Sequence, residues 1–220
     1  MKINLEKKVL SENDRLAAQN RARFKEDGVF VLNLMSSPGS GKTALLEKSI
    51  PALTDCRSAV IEGDVETEKD AQRIAAVTPN VVQINTHGAC HLSAARVMGA
   101  YEAVRASKPD IIFIENIGNL VCPANYDLGE DVRVILLSVT EGDDKPAKYP
   151  GIFVHADAVV INKIDLLPHV DCSIEAVRAD VTKVNSSITF FETSCRTGAG
   201  LDTWISWLRD AKAARGGPSS

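Results

Sequence analysis

From Val29 onward the chain alternates short, nearly continuous apolar runs with stretches whose apolar residues recur every three or four positions. The runs Val29–Met35, Ala59–Glu62, Val81–Ile84, Ile111–Glu115, Val132–Val139, Ala158–Ile161 and Ile188–Glu192 read as strands. Between most of them lie helical patterns: one opening near Lys42, then Thr67–Ala76, Ser93–Arg105 and Ile174–Val184, with Leu201–Ala213 closing the chain. Strands apolar at nearly every position are covered on both faces, so the predicted fold is α/β, a mainly parallel central sheet with helices on both sides. Residues 5–27 read as a preceding N-terminal helix, polar over most of its surface. Leu5, Val9, Leu10 and Leu16 form its one weak apolar stripe, and Ser11 with Asp14 could cap an internal restart. Such a helix has little reason to form alone and is expected to dock on the main domain or on a partner. The organisation is therefore a helical segment, 1–28, and one α/β domain, 29–220, ending in a frayed tail at Gly216–Ser220.

Composition adds exclusions. With 220 residues, 45% apolar and 25% charged, the chain has the balance of a single globular domain. No apolar run reaches transmembrane length and Met1–Asp14 lacks a signal-peptide core, so a cytoplasmic protein without membrane contact is expected. A net charge of −4 argues against a nucleic-acid partner. The five cysteines are odd in number and irregular in spacing, which predicts thiols that bind metal or pack rather than disulfides.

The first strand runs into Ser36-Ser37-Pro38-Gly39-Ser40-Gly41-Lys42-Thr43, the P-loop pattern with serine at the first glycine position. Within the loop Pro38-Gly39-Ser40-Gly41, the two glycines let the backbone curl so that successive N–H groups face one anion, and the helix that follows adds its positive end. Lys42 is placed to contact the β- and γ-phosphates and Thr43 to ligate magnesium. The strand ending at Ile161 leads into Asn162-Lys163-Ile164-Asp165, the NKxD pattern, in which the Asp165 carboxylate accepts from guanine N1–H and the 2-amino group. Adenine has no matching pair of donors, so the expected nucleotide is GTP. Ser194 and Cys195, after the last strand, resemble the loop that closes over the base.

Ile111–Gly118 delivers Glu115 beside the phosphates, and Gly118 can offer its N–H to the γ-phosphate. The resulting ExxG resembles the GTPase branch containing metallochaperones and signal-recognition relatives, whose members commonly work as nucleotide-gated dimers. Gly63–Thr67 is a candidate first switch. Asp64 either holds or orients water at the magnesium site or, with Thr67, caps the next helix. Lys42, Asp64 and Glu115 are the candidate catalytic residues, and Thr43 with Asp64 the magnesium ligands. Cys90, His91 and Cys122 follow strands at the sheet edge where ligands gather in parallel α/β folds. Two thiolates and an imidazole suit nickel or zinc, although no CxxC pattern is present and buried structural cysteines would read the same way.

Together GSGKT, GDVETEKDAQRI, GACHL, ENIGNLVCPA, SVTEGDDKPAKYPG and INKIDLL resemble the hydrogenase nickel-incorporation GTPases, the HypB family, from Val29 to about Leu208. The resemblance implies a metal site at Cys90, His91 and Cys122 near a dimer interface, dimerisation promoted by GTP, and nickel insertion into a nickel–iron hydrogenase large-subunit precursor with a small zinc-containing partner of the HypA type. It also implies that Lys148 reaches the nucleotide across the dimer; on the residues alone Lys148 reads as an exposed lysine. Residues 1–28 carry neither cysteine nor histidine, so the nickel storage and N-terminal nickel site of some members are expected to be missing. The competing readings are a urease-type nickel accessory GTPase, a cobalamin-enzyme GTPase chaperone, a small-molecule kinase, or a non-catalytic metal-binding scaffold. The Cys-Pro-His expected of the urease type is interrupted here by Ala124.

Overall fold

A computed structural model describes residues 5–64, 69–86 and 88–215. Seven strands, β1 (Phe30–Ser36), β2 (Ser58–Asp64), β3 (Val81–Asn85), β4 (Ile111–Gly118), β5 (Val132–Ser138), β6 (Ala158–Asn162) and β7 (Thr189–Glu192), form one sheet in the order β3-β2-β4-β1-β5-β6-β7. Every pairing is parallel, so the sheet goes beyond the mainly parallel one expected. Parallel neighbours need crossovers, and those crossovers carry the helices to the two faces.

Alternation along the strands sorts the core. Leu32, Leu34, Val60, Phe113, Val134 and Val160 face one side, where α2 (Lys42–Ala52), α3 (Lys69–Ala75) and α7 (Leu201–Arg215) supply Leu45, Leu46, Ile74 and Trp204. The other face divides in two. Met35, Ile135, Val159 and Ile161 pack with α6 (Ile174–Val184), while Val31, Ile61, Ile112 and Ile114 pack with α1 (Leu5–Glu26) and α4 (Ala94–Val104). A short α5 (Lys145–Lys148) and 3₁₀ turns at Cys122–Asn125, Val139–Glu141, Pro150–Phe153 and Ile164–His169 make up most of the rest.

The N-terminal helix docks on the main domain, by a stripe other than the expected one. Val9 is 53% exposed, whereas Asn13, Ala17, Asn20 and Phe24 are buried. Asn13 Oδ1 accepts from the N–H of Ala94 at 3.0 Å, capping α4 from outside, since Ser93 makes no side-chain cap itself. Asn20 donates to the carbonyls of Ala94 and Leu128 at 2.8 and 2.9 Å. The restart at Ser11 and Asp14 does not occur: α1 runs unbroken from Leu5 to Glu26, its buried side held by the tertiary hydrogen bonds of Asn13 and Asn20. Thr67 and the tail at 216–220 lie outside the described residues.

Candidate functional site

The candidate site is built from the strand ends and the loops that follow them. β1 ends at Ser36, which sits in the ladder with ordinary strand backbone, so serine is acceptable where the pattern usually has glycine. Its hydroxyl accepts the Lys42 ammonium at 3.0 Å. The loop turns at Gly39 (φ 76°) and Gly41 (φ 105°), conformations that disfavour a side chain, and a Cβ on Gly41 would stand 2.5 Å from Asn162 Nδ2. Asn162 donates to the Ser40 carbonyl at 3.1 Å and Lys163 to the Gly39 carbonyl at 2.7 Å. The NKxD segment therefore holds the P-loop in place.

Between β1 and β4 the register slips: Leu34 faces Glu115 but Ser36 faces Gly118, so two steps on one strand span three on the other. The slip presses Gly118 against the P-loop, where a Cβ would meet Pro38 Cα at 2.8 Å. Glu115 Oε1 accepts the Thr43 hydroxyl at 2.8 Å, while Oε2 is buried without a partner. Burial pushes the Glu115 carboxyl up to about 7, against the pull of Lys42 and Thr43, and burial likewise lowers the Lys42 ammonium. An orphaned carboxylate oxygen beside a threonine hydroxyl is a donor set that fits magnesium. Asp64 closes β2, and its side chain lies outside the described residues.

Just after β6, Asp165 Oδ1 accepts the Ser194 hydroxyl at 2.6 Å, and Arg196 lies 3.9 Å from Oδ2. Cys195 Sγ and Thr193 Oγ1 both approach Asn162 Oδ1, at 3.5 and 3.3 Å. Across the sheet, the Cys90, His91 and Cys122 donor atoms all lie within 4.8 Å of one another. Cys90 Sγ is 3.7 Å from His91 Nδ1, and the His91 ring packs on Tyr126 with centroids 3.8 Å apart. Hydrogen bonding to Cys122, then burial, raises the Cys90 thiol, while burial and Arg96 lower the His91 imidazole toward the neutral form that ligates metal. Lys148 is exposed and pairs with Asp144.

Residues 30–192 match the family model described as CobW/HypB/UreG, nucleotide-binding domain. The hydrogenase maturation factor HypB of Azotobacter chroococcum mcd 1 is 50% identical over 214 residues, spanning 97% of this chain and 70% of that one. That of Escherichia coli (strain K12) is 46% identical over 213 residues, 96% and 73% of the two chains. The chain belongs to the HypB family. A solved structure of HypB from Helicobacter pylori in complex with nickel superposes with a TM-score of 0.88 at 38% identity, covering 95% of this chain and 99% of that one. A LAO/AO transport system kinase, at a TM-score of 0.56 and 18% identity, shares the P-loop fold alone. The match to HypB does not favour the urease-accessory alternative.

Two features of the site carry no motif. Glu141, after β5, accepts the Ser40 hydroxyl at 2.5 Å and keeps its other oxygen buried and unpartnered. Tyr126 supplies the surface on which His91 rests. Neither belongs to a spacing pattern, although both lie within or beside segments that carry the resemblance.

Proposed function

We propose that the chain is a GTP-hydrolysing metallochaperone that holds nickel, or zinc, at Cys90, His91 and Cys122 and assists nickel insertion into a nickel–iron hydrogenase precursor. The observation that supports this reading is one sheet edge bearing both the P-loop with its NKxD segment and the cluster of Cys90, His91 and Cys122, joined by the segment from Glu115 to Cys122. P-loop N–H groups and Lys42 bind the β- and γ-phosphates, Gly118 offers its N–H to the γ-phosphate, and Asp64 orients the attacking water. Magnesium would be held by Thr43 and Glu115, with Asp64 nearby, and would neutralise charge developing on the phosphates. Asp165, with Ser194 and Cys195 around it, reads the guanine edge.

Nickel is the cargo. Loss of the γ-phosphate frees Gly118 four residues before Cys122, so nucleotide state sets the ligand geometry and with it the nickel affinity. The resemblance supports a GTP-dependent homodimer working in the cytoplasm, with Lys148 reaching across it, and a nickel-delivery partner of the HypA type. The test measures GTP and ATP turnover together with bound nickel in the wild type, Lys42→Ala and Cys122→Ala. GTP-selective turnover lost only in Lys42→Ala, and nickel lost in Cys122→Ala, is expected. Turnover that survives Lys42→Ala, or nickel retained by Cys122→Ala, contradicts the assignment.

A further inference from the structure

Beneath the thiolate–imidazole cluster, four polar side chains lie between the two apolar clusters of that sheet face. Asn33, Asn116, Glu130 and Arg133 are each at most 9% exposed. Asn116 Oδ1 accepts from the N–H groups of Leu92 and Ile117, at 3.4 and 2.9 Å. Its Nδ2 donates to Asn33 Oδ1 at 3.2 Å, and Asn33 Nδ2 donates to Glu130 Oε1 at 3.1 Å. Arg133 Nε donates to the same oxygen at 2.9 Å. The Arg133 fork then reaches the carbonyls of Ala124 and Tyr126 at 3.5 and 3.4 Å.

The chain has a direction. An ionised Glu130 only accepts, so Asn33 must turn its NH₂ toward it and its oxygen toward Asn116. Asn116 must then present its own NH₂ to Asn33 and its oxygen to Leu92, the residue after His91. At the other end, Arg133 holds the turn that carries Cys122 and Tyr126. Burying an ion pair and two amides is a weak source of stability, because apolar residues of similar volume often stabilise a core as much. Fixing two separate loops relative to each other is something apolar contacts do less specifically.

We propose that the relay Asn116–Asn33–Glu130–Arg133 positions the two halves of the metal site, with Arg133 and Glu130 as positioning residues for nickel. The inference rests on reading Cys90, His91 and Cys122 as the nickel ligands. Because Asn33 lies on β1 just before the P-loop and Asn116 lies between Glu115 and Gly118, the relay also ties ligand geometry to the phosphate site.

The test is a nickel(II) titration of the full chain with GDP bound, followed by thiolate-to-nickel absorption, with GDP affinity measured in parallel. The variants are Arg133→Lys, the pair Glu130→Leu with Arg133→Met, and Cys122→Ala. The pair is expected to weaken nickel binding roughly 10-fold and to alter the absorption, the usual scale for residues that orient metal ligands. Arg133→Lys should lose less, with GDP affinity unchanged in both. Wild-type nickel affinity and absorption in either folded variant would overturn the relay; if the pair does not fold, Arg133→Lys decides. Cys122→Ala separates the two levels: nickel binding retained there removes the ligand set itself, whereas binding lost there but intact in the Arg133 variants removes the relay alone.

Discussion

Glu115 holds a carboxylate where one oxygen has Thr43 and the other has nothing, and its proton affinity follows from that. A carboxyl whose folded pKa is raised to about 7 favours the folded state fully below its ordinary value of 4.5. That contribution is lost as pH rises through about 7. The nucleotide- and metal-free protein should therefore lose up to on the order of 3 kcal/mol across this window, and Glu115→Gln should remove that slope. Urea midpoints measured against pH for both proteins check it; parallel curves would mean that Glu115 is ionised throughout. Asp165 makes a different residue-scale claim. Asp165→Asn should weaken GTP and favour xanthosine triphosphate, whose 2-oxo group accepts where guanine donates, and competition binding of the two nucleotides decides. The placement of Lys42 and Thr43 at the start of α2 and of Asp165 just after β6 was legible in the sequence because the P-loop and NKxD patterns fix residues at short spacing beside strand ends. Glu141 and Tyr126 were not, because their roles come from contacts with Ser40 and His91 that no local pattern encodes.

At the scale of elements, all seven strands were legible from apolar runs, since a parallel strand buried on both faces leaves little room for polar residues. Their ends were read less well: β4 continues to Gly118 because the slipped register carries the ladder past Glu115. The 3₁₀ turns at Val139–Glu141, Pro150–Phe153 and Ile164–His169 are too short to show a helical period. The sequence predicts α1 but a different buried face, because Asn13 and Asn20 share the contact with Ala17 and Phe24 in place of the leucine and valine stripe. Asn20→Leu should accordingly destabilise the fold by about 2 kcal/mol despite adding apolar surface, since it removes the side-chain donor from the buried Leu128 carbonyl and the second donor from that of Ala94. Chemical denaturation measures this. A midpoint at or above that of the wild type would show that α1 is held by packing alone.

Over the whole molecule, the parallel sheet brings the P-loop and NKxD segments and the cluster of Cys90, His91 and Cys122 to one edge, and this was legible because all of them follow strands. The buried relay between them was not. It joins Asn33, Asn116, Glu130 and Arg133 across long sequence separations, and buried asparagines in apolar strands carry no signature of their own. Among the described residues no helix is long and apolar enough to cross a membrane. What the architecture makes possible is reciprocal coupling: a nucleotide that moves the segment from Gly118 to Cys122 must change nickel affinity, and nickel must change nucleotide affinity by the same factor. The direct measurement is nickel affinity of the full chain with GDP and with a non-hydrolysable GTP analogue, at matched protein concentration. The account predicts a difference of roughly 5- to 150-fold, mirrored in the effect of nickel on nucleotide binding. Equal nickel affinity in the two states, with nucleotide binding indifferent to nickel, would contradict it.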